Sequence, residues 1–191
     1  MVSVVDGTVS ESAPLHFDRE LSQIAGTNPS VCFQCQKCSA GCPAAADTDV
    51  KPHELLRLVH LGLRDEVLGS RFIWECTSCG TCEARCPQGV ALPRLIDALR
   101  RLSRNEKKVV AGTSVPVFND VFLGIVRRAG RAYELGLMAA FKLRTRSFRQ
   151  DIAKAPTMLR KGKLSLLPTF VGGRAARKRL FKRAEKAGRE R

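Results

Sequence analysis

The chain has 191 residues, 44% apolar and only 6% aromatic, which suits one compact domain or a small domain carrying an extension. No run of about 18 uncharged apolar residues occurs, so a membrane-spanning helix is not expected; the nearest stretch, 117–141, is broken by Arg127, Arg128 and Arg131. The formal net charge of +15 is divided unequally: residues 1–100 hold 9 Lys/Arg against 12 Asp/Glu, and residues 101–191 hold 24 against 6. Two regions with different tasks are therefore expected.

From the N-terminus, "MVSVVDGTVSESAPLHFDRE" lacks the basic and apolar regions of a signal peptide. Export is not expected, and the reducing cytoplasm is the expected location. Residues 1–25 read as a poorly ordered or partner-docked segment. "CFQCQKCSAGCP" follows at 32–43. Beyond it Asp49 suits a helix cap, Pro52 suits a first helical turn, and Leu55, Leu56, Val59 and Leu63 recur at helical spacing. A second short helix is expected near Asp65, with Val67, Leu68 and Phe72 inward. "CTSCGTCEARCP" occupies 76–87. Pro93 then opens a helix on which Leu92, Leu95, Ile96, Leu99 and Leu102 form one apolar stripe. Strand patterning is absent from 1–110. In the basic half, Phe118, Phe122, Ile125 and Val126 suggest one amphipathic helix and Tyr133, Leu137 and Phe141 another. Residues 172–191 are a basic tail, compatible with helix or with disorder.

All eight cysteines lie in the two quoted runs, each spaced C-x2-C-x2-C-x3-C-P. A disulfide framework would scatter its cysteines and would require an oxidising compartment. Structural zinc prefers two well-separated pairs rather than four thiols within eleven residues, twice over. The spacing is that of bacterial ferredoxins, so two [4Fe–4S] clusters are expected. A tight loop supplies three thiolates, and the fourth serves the other cluster in two-cluster proteins with this run. Cluster 1 should take Cys32, Cys35, Cys38 and Cys86; cluster 2 should take Cys76, Cys79, Cys82 and Cys42. Such crossing places the two motifs side by side with pseudo-twofold symmetry. Pro43 and Pro87 fix φ after the last ligand, and Gly41 and Gly80 allow close backbone approach or positive φ. With every ligand slot filled by cysteine, His53 and His60 are expected to be solvated or capping. Phe33 and Trp74, beside the ligands, read as cluster shields or as core.

The first motif, with "HELLRLVHLGLRDEVLGSRFIWECTSCGTCEARCPQGV" and "PRLIDALRR", resembles the C-type subunit of heterodisulfide reductase. The likeness extends more loosely into "GRAYELGLM" (130–138) and "KGKLSLLP" (161–168), and so covers most of 30–170. The cysteine runs alone are shared with other helical ferredoxin modules, such as iron–sulfur subunits of succinate dehydrogenase, fumarate reductase and glycolate oxidase; the intermotif run favours the heterodisulfide reductase group. The resemblance implies an electron relay between a flavin-containing A-type subunit and a cysteine-rich B-type subunit that carries the disulfide chemistry. This chain shows neither a B-type cysteine motif nor a Gly-rich dinucleotide fingerprint, so a non-catalytic electron-transfer subunit is expected. The alternatives are an iron–sulfur subunit of another flavin-dependent complex, or a cluster-bearing module that binds nucleic acid through its tail.

The expected fold is mainly α: an α-helical dicluster ferredoxin domain over 26–110 and a basic helical C-terminal extension and tail over 111–191. For the basic half, docking onto an acidic partner subunit is the favoured reading. Peripheral contact with an anionic membrane follows, because apolar residues accompany the charges. Nucleic acid ranks below both, because aromatic interleaving is weak.

Overall fold

In a computed structural model, described here for residues 17–110, 113–146, 158, 160–161 and 170–189, the chain is helical, with no strand among the described residues. It divides into two compact units, Met1–Ala111 and Gly112–Arg191.

The first unit contains α1 (Phe17–Ala25), a 3-10 turn (Pro29–Val31), α2 (Lys37–Ala40), α3 (Pro52–His60), α4 (Arg64–Leu68), α5 (Phe72–Glu75), α6 (Thr81–Ala84) and α7 (Leu92–Asn105). α7 is the centre: α1, α4, α5 and α6 all pack on it. Its predicted stripe is buried at Leu92, Leu95, Ile96 and Leu99. Leu102 is only half-buried, and Ser103 takes the inward position, its hydroxyl donating to the Leu68 carbonyl at 2.8 Å. Phe17 and Leu21 of α1, Leu55, Leu56 and Val59 of α3, and Phe72, Ile73 and Trp74 of α5 complete the core.

α3 begins with Pro52 in its first turn, where a missing N–H costs nothing. The cap differs from the expectation: the Glu54 carboxylate accepts from the Lys51 N–H at 2.8 Å, while Asp49 reaches forward to α5. α3 also ends earlier than the apolar spacing suggests. The chain turns at Gly62, φ 69°, so Leu63 falls outside the helix and is exposed. Arg64 opens α4 between two carboxylates, Glu20 of α1 and Glu106 beyond α7, each at 2.5 Å, with its guanidinium 4.8 Å from the centre of the Phe17 ring. One side chain thereby ties three segments of the first unit.

The second unit contains α8 (Ser114–Ala129), α9 (Glu134–Thr145) and α10 (Arg174–Arg189). α8 and α9 meet through Phe118 and Phe141, edge to face at 5.7 Å. Its buried apolar set among the described residues is small, with Pro116, Val121 and Ala129 on α8 and nothing fully buried on α9. No helix among the described residues is long and apolar enough to cross a membrane. Residues 1–16 and 162–168, which include most of the N-terminal segment and nearly all of "KGKLSLLP", lie outside the described residues.

Candidate metal centre

The two cysteine motifs trace the same backbone path. Gln34 and Ser78, each second after the first cysteine of its motif, have φ of 61° and 53°. Gln36 and Gly80, each following the second cysteine, have φ of 64° and 76°. Left-handed residues at these places turn the loop tightly enough for its amides to face inward. The Gln34 N–H donates to Cys32 Sγ at 3.4 Å, and the Ser78 N–H donates to Cys76 Sγ at the same distance. A one-turn helix follows each loop, α2 and α6, and the two pack against each other.

Two small cavities open between these segments. One is lined by Cys76, Cys79 and Cys82 of the second motif together with Cys42 of the first. The other is lined by Cys32, Cys35 and Cys38 of the first motif together with Cys86 of the second, and Cys82 borders it as well. Each cavity also has an apolar wall, with Phe72 and Ile96 in one and Leu56 and Leu92 in the other. Cys35 and Cys79 are exposed, so each cavity reaches the surface at the second cysteine of its motif.

Burial pushes the Cys82 thiol up to about 11 and raises Cys38 and Cys76, although the Ser78 amide and the Arg100 charge act against burial at Cys76. Cys79 goes the other way, lowered chiefly by the Thr81 hydroxyl. Buried thiols in apolar walls are poor places for protons to leave unless a metal takes their place. Eight soft donors, four around each small cavity, fit two iron–sulfur clusters, and the inward amides supply the hydrogen bonds that such sulfurs accept.

Several supporting residues carry no clear sequence signal. Asp49 holds the start of α5, the helix that leads directly into Cys76: its carboxylate accepts from Arg71 N at 2.8 Å and Phe72 N at 3.0 Å. Arg100 of α7 donates to the Cys76 carbonyl at 2.6 Å and to the Ile73 carbonyl. The histidines are tethers for the first motif rather than solvated groups. His53 lines the first-motif cavity, and its Nδ1 lies 2.7 Å from the Ser39 hydroxyl; His60 Nε2 donates to the Pro29 carbonyl at 2.7 Å. Trp74 is core, whereas Phe33 is 58% exposed beside the Cys35 edge. Gly41 has an ordinary φ of −111°, and a Cβ there would meet the tip of the Arg85 side chain, which would have to swing aside. Positive φ is the requirement at Gly80, where a side chain would meet nothing within 4 Å.

A mainly helical chain with two four-thiol cavities defines a dicluster iron–sulfur protein, and residues 31–91 match the family described as a 4Fe-4S dicluster domain. The chain is 33% identical over 152 residues to the second C-type iron–sulfur subunit of the CoB–CoM heterodisulfide reductase of Methanocaldococcus jannaschii, a match covering 73% of this chain and 76% of that protein. It is 32% identical over 105 residues to the C-type subunit of the H2:CoB–CoM heterodisulfide, ferredoxin reductase of Methanothermobacter thermautotrophicus, covering 55% of this chain. It is also 40% identical over 72 residues to the C-type iron–sulfur subunit of the Methanopyrus kandleri CoB–CoM heterodisulfide reductase, covering 38% of each chain. The chain spans about half, 54%, of the Methanothermobacter protein's length. The chain belongs to the family of heterodisulfide reductase C-type subunits. It is an iron–sulfur protein with two [4Fe–4S] clusters.

Proposed function

We propose that this chain relays electrons between a flavin-containing A-type subunit and a cysteine-rich B-type subunit of a heterodisulfide-reductase-like complex, and itself makes and breaks no covalent bond of the substrate. The crossed lining of the two cavities is the observation that carries the reading. Each gathers three thiols from one motif and one from the other, which supports cluster 1 on Cys32, Cys35, Cys38 and Cys86 and cluster 2 on Cys76, Cys79, Cys82 and Cys42. Cys82 borders both cavities, so the two clusters would be near neighbours, as a relay requires. The two exposed ligands, Cys35 and Cys79, then give each cluster its own surface edge, one for the donor and one for the acceptor.

The relatives' names support the partners: they tie the C-type subunit to reductases acting on the CoB–CoM heterodisulfide, in some cases with ferredoxin. For this chain the disulfide or sulfur compound is left as the class handled by a B-type subunit. The decisive experiment is anaerobic purification from its own host with iron and sulfide analysis and EPR. Co-purification with a flavoprotein and a second cysteine-rich subunit is expected, and a chain isolated alone with a small soluble redox carrier would overturn the proposal. For the ligands, Cys42→Ser should degrade the EPR signal of the second-motif cluster and spare the first. Loss of the first-motif signal instead would reject the crossed set.

A further inference from the structure

The second unit exposes apolar surface that a small soluble module would ordinarily bury. Phe170 is 73% exposed, Val171 52% and Leu180 65%, in a unit whose buried apolar residues among those described are Pro116, Val121 and Ala129. The charge beside these residues is almost entirely of one sign. α10 carries Lys178, Arg179, Lys182 and Arg183, all exposed, with Lys186 one turn further along the same side. Lys178 and Lys182 stand four residues apart, as do Arg179 and Arg183, and like charges at that spacing weaken a helix. The single acid of α10, Glu185, is held at 2.7 Å by Arg127 of α8. Arg177 is taken as well: its guanidinium caps the end of α8, donating to the carbonyls of Arg127 at 3.0 Å and Arg128 at 2.9 Å. α10 is thus fastened along one edge through Arg177 and Glu185, with Phe181 half-buried near Arg127. The cationic side stays outward, and Ala176 and Leu180 lie along its border by helical geometry.

We infer that α10 and the Phe170–Val171 segment before it form a peripheral attachment surface for an anionic lipid bilayer. Three features favour lipid over an acidic protein. Three of the five cations on this side, Lys178, Lys182 and Lys186, are lysines, which protein interfaces disfavour. A fluid layer of anionic headgroups can match any spacing of cations, and the one acid bordering that side, Glu185, is already engaged by Arg127. Leu180 is aliphatic and exposed at the border of that side, and Phe170 and Val171 are exposed just before α10, where the Val171 N–H bonds the Ala129 carbonyl of α8; such apolar residues let a helix lie in the headgroup boundary. Nucleic acid would call for aromatic platforms among the cations, and the one aromatic within α10, Phe181, is turned toward α8.

The test is co-sedimentation of the full, cluster-loaded chain with sucrose-filled vesicles at low ionic strength. Phosphatidylcholine vesicles are compared with the same vesicles carrying phosphatidylglycerol, and the brown cluster absorbance monitors integrity. The chain should pellet with the anionic vesicles and stay in solution with the neutral ones. Lys182→Gln with Arg183→Gln should weaken binding about 30-fold, roughly fivefold for each cation removed near the surface. Leu180→Gln, which keeps the charge, should weaken it several-fold through loss of the apolar anchor. Equal binding to both vesicles, no binding to either, or a Leu180→Gln chain that binds like the wild type would overturn the inference. So would a chain that ignores the anionic vesicles yet shifts duplex DNA or an acidic partner subunit at the same salt.

Discussion

Asp49→Ala tests how the second cluster loop is held. The Asp49 carboxylate accepts from Arg71 N at 2.8 Å, from Phe72 N at 3.0 Å and from the Ser70 hydroxyl at 3.3 Å, closing a bond across more than twenty residues. Alanine removes the acceptor from the first turn of α5, a change that costs about 0.5–2 kcal/mol at typical caps. The Ser70 side chain, in a residue only 2% exposed, loses its own acceptor as well, which adds about 1 kcal/mol. Phe72 N keeps the Ser70 oxygen at 3.1 Å, so the losses do not simply add, and about 2 kcal/mol is the expected total. For a unit of this size that lowers the melting temperature by about 8–16 °C. Anaerobic calorimetry of cluster-loaded protein, at one scan rate because cluster loss makes unfolding irreversible, measures the shift. Because α5 runs straight into Cys76, the second-motif cluster should bleach first on warming. Asp49→Asn retains an acceptor and should recover most of the difference. An Ala variant within about 2 °C of wild type, or one that loses the first-motif cluster first, would refute the reasoning.

Arg100→Ala removes the donors to the Ile73 and Cys76 carbonyls and should cost about 2–3 kcal/mol, with the second-motif EPR signal broadened and the first unchanged. Arg100→Lys, lacking the planar fork, should recover only part of the loss. Gly41→Ala should destabilise by no more than about 1 kcal/mol, because its methyl meets the far end of the flexible Arg85 side chain, which can swing aside, and adding Arg85→Ala should recover what is lost in a thermal melt. A double variant no better than Gly41→Ala alone would show that Arg85 is not the obstacle.

Periodic signals are legible where one helix face meets the core. Leu55, Leu56 and Val59 of α3, and Leu92 through Leu99 of α7, are buried as their spacing requires, and Pro52 sits in a first turn. The spacing of the cysteines points to clusters because eight thiols at two- and three-residue gaps have few other uses. Long-range pairing is what the residue order hides. Asp49 looks like a local cap for α3 three residues away, but its carboxylate is used by amides 22 and 23 residues on. His53 and His60 have no local partner to announce them, and their bonds run to Ser39 and Pro29, 14 and 31 residues back. Leu63 keeps the apolar spacing yet leaves the helix because the chain turns at Gly62. The stretch at 17–25, expected to be poorly ordered or partner-docked, instead carries Phe17 and Leu21 into the core as α1. Two apolar residues one turn apart are too short a stripe to announce a helix by themselves.

The two cluster loops agree in backbone and differ in everything around it. Equal φ patterns and equal 3.4 Å amide-to-sulfur contacts would make two identical sites, and two identical sites give an electron no preferred resting place. The departures from symmetry are mainly side chains, along with the Val90 N–H that donates to Cys86 Sγ at 3.3 Å. At the position after the first cysteine stands an exposed Phe33 in one motif and Thr77 in the other. Gly41 is matched by Arg85, which occupies the space both would need. The first-motif cavity has His53 at its wall, bonded to the Ser39 hydroxyl; the second has the Thr81 hydroxyl 3.4 Å from Cys79 and the Arg100 cation at the Cys76 carbonyl. Nearby charge, hydrogen bonds and exposure are the levers by which a protein sets a cluster's potential. A duplicated loop therefore secures two sites of one kind, and the unmatched residues around it are the places where the proposed relay would acquire unequal potentials.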